Sequence, residues 1–200
     1  INPKNSILIF YPLLFGVSVS LKHGISGSEI LTGFQLFIQS RIYMNITLLM
    51  IGNTSEAFVR DGYEIFLKRL RHYIKVKEVI IPDLKERKHL NPEQVKEKEA
   101  ALILEKLTAS NFTVLLDERG KEFSSVEFAG FLQKTMNAGT REMFFVVGGA
   151  YGVAESIKQK ADLTVSLSRM TFTHQFIRLL FAEQLYRAMT ILKNEPYHNE

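Results

Sequence analysis

Three stretches carry residue types that could do chemistry. The first is Val146 to Val153, an apolar run that breaks into Gly148-Gly149-Ala150-Tyr151-Gly152. Glycines behind a buried strand let a ligand approach the backbone closely, with amide N–H groups free to donate. The spacing is neither GxGxxG nor a phosphate loop ending in Lys-Ser/Thr, so the two common nucleotide fingerprints are not met. The second is Leu167-Ser168-Arg169-Met170-Thr171-Phe172, two hydroxyls among apolar neighbours, able to hold a planar ring through main-chain bonds or to serve as a plain connector with Thr173 as the next helix N-cap. The third is the C-terminal run from His174 to Leu192, followed by Asn194-Glu195-Pro196-Tyr197-His198-Asn199-Glu200. Its few polar residues include Arg178 and the i,i+4 pair Glu183/Arg187. A tail that sets Tyr197 beside His198 offers a ring and an imidazole to a substrate; a frayed terminus is the alternative.

The remaining candidates are negative or diffuse. The five histidines (His23, His72, His89, His174 and His198) form no HxH or HExxH spacing, and Cys is absent, so no metal site is expected. The absence of Cys also excludes disulfides and thiolate nucleophiles and favours the cytoplasm as location. Arg60, Lys68, Arg69, Arg71, His72, Lys75 and Lys77 make a basic stretch interleaved with Tyr63 and Tyr73. It reads as a solvated helix face, or as a surface for RNA phosphates.

The elements that must position these residues follow from periodicity. Apolar runs at Ile46–Ile51, Val76–Ile81, Phe112–Asp117, Met143–Val147 and Leu163–Leu167 predict strands. Helices are expected over Glu56–Tyr73, from the Asn91-Pro92 start to Leu107, from the Ser124…Glu127 capping box to Asn137, over Ala154–Lys160 and over His174–Leu192. Gly120 is expected in a turn that ends the third strand. Alternation of strand and helix implies an α/β fold, a mostly parallel sheet with helices on both faces, whose ligand loops lie at the carboxyl ends of the strands. The last helix is apolar on every side, which predicts one face on the sheet and the other on a second subunit.

The 200-residue chain, 46% hydrophobic and 23% charged, has the composition of a globular protein. Its first part differs from the rest. Ile7–Leu21 is almost wholly apolar but, at 15 residues, short for a membrane span. Residues 1–43 are therefore expected to be a leader or upstream extension outside the functional domain, and residues 44–200 to form that domain, opening on MNITLLMIG. The formal charge divides evenly, +2 before Met44 and +2 after it, so an RNA-binding surface would have to be a local patch.

FVVGGAYG, LSRMTFTHQFIRLLFAEQLYRA and the terminal NEPYHNE, with MNITLLMIG and VKEKEA, resemble the ribosomal RNA large-subunit methyltransferase H family of the SPOUT class. The resemblance spans Met44 to Glu200. It implies a C-terminal trefoil knot, a homodimer, and S-adenosylmethionine as methyl donor. The implied reaction is methylation of N3 of a pseudouridine in 23S ribosomal RNA of the assembled ribosome. Cofactor binding would then fall on Leu116, Gly148, Leu167, Ser168, Arg169, Met170, Thr171 and Phe172. The polar set of the family corresponds to His174, Arg178, Glu183, Arg187, Tyr197, His198 and Glu200. Of these, Arg178, Tyr197 and His198 are the expected catalytic residues: Tyr197 or His198 would orient the base, and Arg178 or Arg187 would hold phosphate or base oxygens. Thr173 stands where the family often has Pro. The alternatives are a SPOUT methyltransferase acting on tRNA and a non-catalytic ribosome-binding dimer.

Overall fold

A computed structural model describes residues 44–85, 87–108 and 111–199. The expected leader, residues 1–43, and Glu200 lie outside the described residues. Five strands, β1 (Asn45–Ile51), β2 (Val76–Ile81), β3 (Phe112–Glu122), β4 (Glu142–Val147) and β5 (Leu163–Ser166), form one sheet in the order β2-β1-β4-β3-β5. Every named pairing is parallel: Ile46 opposite Val76, Asn45 opposite Glu142, Phe112 opposite Met143, Val114 opposite Leu163. The helices are α1 (Ala57–Leu70), α2 (Pro92–Leu104), α3 (Ser125–Asn137), α4 (Glu155–Lys160) and α5 (Phe176–Leu192).

Period-two alternation divides the strands between two cores. Ile46, Leu48 and Met50 of β1 share one side with Met143, Phe145 and Val147 of β4, packed under Tyr63 and Leu70 of α1, Phe128 and Leu132 of α3, and Phe181 and Leu185 of α5. Leu49, Ile51, Leu115, Phe144 and Val146 point the other way, onto Ala100 and Ile103 of α2 and Ile157 of α4. Helices thus cover both faces, as the alternation required. Both expected capping boxes are formed: Asn91 accepts from Gln94 N at 2.9 Å, and Ser124 accepts from Glu127 N at 3.2 Å. Among the described residues no helix is long and apolar enough to cross a membrane.

Two local expectations are corrected. Gly120 does not end β3. The chain leaves register after Leu116 opposite Val165 and rejoins at Lys121, again opposite Val165. A Cβ on Gly120 would come within 2.6 Å of backbone atoms of Thr164 and Val165, so this glycine lets the β3 and β5 main chains approach closely at the register shift. The last helix begins at Phe176, not at His174, although Thr173 still caps its entry through Phe176 N at 3.1 Å. Within the one chain that helix has a buried side and a half-covered side, as an expected face on the sheet requires. Phe181, Ala182, Leu185 and Met189 face the core, whereas Ile177, Leu180 and Leu192 are only half-buried and Phe176 is exposed.

Candidate active site

Three parallel strands bring the candidate loops to one edge of the sheet. Leu116 closes the first segment of β3 opposite both Val147 of β4 and Val165 of β5. Gly148 follows Val147 directly, and Leu167 follows Ser166 at the end of β5. Leu116, the Gly148 turn and the Leu167–Phe172 loop therefore emerge side by side, Leu116 in the middle, where open α/β sheets take their ligands.

The glycine turn is closed by Gly152 N donating to Gly149 O at 3.1 Å, with Gly152 at φ +81°. Gly148 has a second reason to be glycine besides the expected approach of a ligand. A Cβ there would meet Val153 Cγ1 at 2.7 Å and the Gly152 carbonyl carbon at 3.1 Å, so the turn's own packing already requires glycine. At Gly149 a Cβ would fall against the Glu99 carboxyl group, with Glu99 Cδ at 3.0 Å. Glu99, on α2, is only 3% exposed and lies beneath the turn. Nothing in the motifs singled it out. The available signal was its place in VKEKEA, on the same helix face as buried Val95 and Ile103.

The Leu167–Phe172 loop is held by short-range bonds. Ser166 Oγ donates to Ser168 O at 2.9 Å, and Met170 N donates to Ser168 Oγ at 3.0 Å, so the two hydroxyls shape the loop. Arg169 pairs with Glu122 at 3.2 Å. Phe172 stacks against Phe176 at 5.9 Å between centroids. Leu167 and Phe172 are half-buried, whereas Thr171 is exposed and the apolar Met170 is 73% exposed.

Arg178 is 1% exposed. Its guanidinium donates to Ile51 O at 2.5 Å, Gly52 O at 2.9 Å, Thr54 Oγ1 at 2.9 Å and His174 O at 3.0 Å. Burial lowers its pKa, opposed by the charges of Tyr63, Asp83 and Glu78. In this chain the group is spent on the main chain and ties the start of α5 to the end of β1. Gln175 adds to the same joint: its Oε1 accepts from Ser55 N at 2.9 Å and Glu56 N at 3.1 Å, capping α1 from a residue 119 positions away. Neither partner set was legible in the sequence.

Tyr197 and His198 are half-buried. Tyr197 packs edge-on against Tyr186 at 4.7 Å, lies 4.8 Å from the Arg187 guanidinium and donates to Glu183 Oε1 at 3.1 Å. Glu183 and Arg187 form the expected i,i+4 pair at 2.5 Å. Burial and then the Glu183 charge push the Tyr197 phenol upward. Tyr73 donates to Glu195 and is raised as well, chiefly by that bond. The structure thus brings Tyr197 to the middle of α5, about 10 Å along the helix from Phe176.

A family model described as "Predicted SPOUT methyltransferase" matches residues 44–198. A ribosomal RNA large subunit methyltransferase H from Christiangramia forsetii is 52% identical over 156 residues, which is 78% of this chain and 99% of that protein. A protein of the same name from Flavobacterium johnsoniae is 53% identical over 157 residues, 78% of this chain and 100% of that protein. Among solved structures, a probable methyltransferase from Bordetella pertussis Tohama I aligns with 78% of this chain and 99% of that one at 13% identity, with a TM-score of 0.47, too distant to add to the comparison.

Proposed function

Because the chain belongs to the SPOUT methyltransferase family, we propose that it transfers a methyl group from S-adenosylmethionine to N3 of a pseudouridine in large-subunit ribosomal RNA, working as a homodimer on the assembled ribosome. The observation that carries this reading is the convergence of Leu116, Gly148 and Leu167–Phe172 at adjacent strand ends. Half-buried Leu116 lies between the Gly148 turn and half-buried Leu167, an apolar strip edged by peptide groups that would form the cofactor slot. That donor set suits a purine and a thioether-like chain, so the residues present fit the cofactor. Leu116, Gly148 and the residues Leu167 to Phe172 would hold it.

When bound, the cofactor supplies an electrophilic methyl on a sulfonium sulfur. The chain's own task is alignment, since a direct displacement needs donor and acceptor in line, and exclusion of water from the slot. Arg178 acts here as a positioning residue. Its four bonds fix where α5 starts, and with it the end of the Leu167–Phe172 loop. Tyr197 and His198 would bear on the base, carried by the tail of one subunit to the slot of the other. Support for a second subunit comes from the half-covered outer side of α5 and from Phe58 and Ile65 on α1, 65% and 52% exposed at i,i+7. The trefoil knot is part of the same reading and rests on the family alone.

The decisive experiment incubates the full chain with methyl-labelled S-adenosylmethionine and, in parallel, assembled ribosomes, isolated large subunits, deproteinised ribosomal RNA and tRNA. Label on ribosomes, at N3 of one pseudouridine, is expected. Label on tRNA alone would replace the substrate, and cofactor binding without transfer to any of the four would leave a binding protein.

A further inference from the structure

One feature outside the slot stands apart by charge. Lys68 and Arg69 lie in the last turn of α1, Arg71 caps it, and His72 and Lys75 lead into β2. All five are exposed, and no acidic residue occurs between Glu64 and Glu78. In a domain whose charges nearly cancel, this is a concentration. The helix dipole favours cations in the last turn, which accounts for Lys68 and Arg69 but not for Lys75 beyond it. Elsewhere the basic side chains find acids: Lys77 with Glu142, Arg169 with Glu122, Arg187 with Glu183. Among the described residues no ion pair involves Lys68, Arg69, Arg71 or Lys75.

Arg69 is also held in place. Its guanidinium carbon lies 5.4 Å from the Phe66 ring centroid and 5.6 Å from that of Tyr186. Stacking fixes a guanidinium through its faces and leaves the N–H edge for a bidentate acceptor such as phosphate. Tyr186 is the ring on which Tyr197 packs, and it also contacts Tyr73 at 5.7 Å. The basic cluster and the C-terminal tail are thus joined through one aromatic side chain.

We propose that the C-terminal end of α1, with Lys68, Arg69, Arg71 and Lys75, is the surface on which backbone phosphates of the substrate RNA dock beside the nucleotide engaged by the tail. This rests on the RNA-methyltransferase reading above. Phosphate contacts position an RNA without reading its sequence, which suits a chain whose base recognition lies elsewhere.

The test compares the full chain with its Lys68→Gln/Arg71→Gln/Lys75→Gln variant, substituted only at exposed positions. Calorimetric affinity for S-adenosylmethionine and thermal stability serve as controls, and methyl transfer to assembled ribosomes is followed across a salt series. The variant should show KM for ribosomes raised about tenfold or more, with kcat at saturation and cofactor affinity unchanged. The slope of log affinity against log salt should flatten by about 0.7 to 0.9 for each phosphate that is no longer neutralised. An unchanged KM and slope in an active variant would overturn the docking surface while leaving the RNA reading intact. Absence of transfer by the unsubstituted chain would remove the RNA reading and the surface with it. If the variant binds ribosomes weakly but deproteinised ribosomal RNA as well as the parent does, the surface meets an acidic ribosomal protein and the proposal is wrong.

Discussion

Arg178 carries a charge into the interior and neutralises its cost with four main-chain and hydroxyl acceptors. Removing it strands the carbonyls of Ile51 and Gly52 under α5, each worth roughly 1–3 kcal/mol when left without a donor. Arg178→Ala should therefore cost about 3 kcal/mol or more in urea unfolding, and Arg178→Lys should recover only part of it, because one ammonium cannot span the set. Cofactor affinity should fall in both, since the loop ending at Phe172 loses its anchor; Arg178→Lys with parental stability would refute the clamp. At the tail, Tyr73 and Tyr197 both have phenols raised from the ordinary 10.0, Tyr73 mainly by its bond to Glu195 and Tyr197 mainly by burial. A raised value means that the folded state holds the proton more tightly. The associated stabilisation is whole below about pH 10 and fades as pH climbs through the raised values. Carboxypeptidase should accordingly trim the tail faster at about pH 11 than at about pH 8, and this step should vanish in Tyr73→Phe/Tyr197→Phe. A step of equal size in the double variant would assign it to other groups.

At the scale of elements, two glycines test different physics. Gly120 has a would-be Cβ 2.6 Å from the β5 main chain, whereas Gly139, at φ +82° after α3, has nothing within 4 Å. Gly139→Ala should cost about 1 kcal/mol through backbone strain alone. Gly120→Ala forces β3 and β5 apart, and its cost should exceed that by about 1–3 kcal/mol, the usual range for overpacking. Denaturant midpoints of the two variants decide the matter; equal losses would mean that the close approach yields easily. Because β5 ends in the Leu167 loop, the Gly120 variant should also bind S-adenosylmethionine less tightly in proportion to its distortion.

For the whole molecule, the question is which parts the domain needs. A chain beginning at Met44 contains the five strands and two cores of the described residues, and it should match the full chain in unfolding midpoint and cofactor affinity. A lower midpoint in that chain would make residues 1–43 a structural part. Deleting Tyr197 to Glu200 removes, with other contacts of the tail, the Tyr197 ring's contacts with Tyr186 and Arg187 and its bond to Glu183, worth about 2–3 kcal/mol together. The truncated chain should stay folded and bind cofactor, yet transfer methyl to ribosomes at least about 10²-fold more slowly. Parental turnover would free the tail from any part in catalysis, and a chain that unfolds would make it structural.

The residues themselves determined the alternation of strands and helices, the two capping boxes, the strand-end position of Gly148 and Leu167, and the family. The family was legible in motifs along the chain; the others depend on neighbours within one helical turn or on the two-residue period of a strand, and such short-range preferences are written directly in spacing. Only the tertiary structure decided that Arg178 serves Gly52 across 126 residues, that Gln175 caps α1, and that Glu99 lies beneath Gly149. It also turned Gly120 from an expected turn residue into a point of close approach between β3 and β5 and laid Tyr197 on α5. In those cases the partner is a carbonyl, a peptide plane or a ring set in place by the whole packed sheet. A side chain's type states what it can bond to, but which distant group stands within reach is settled by how the layers close.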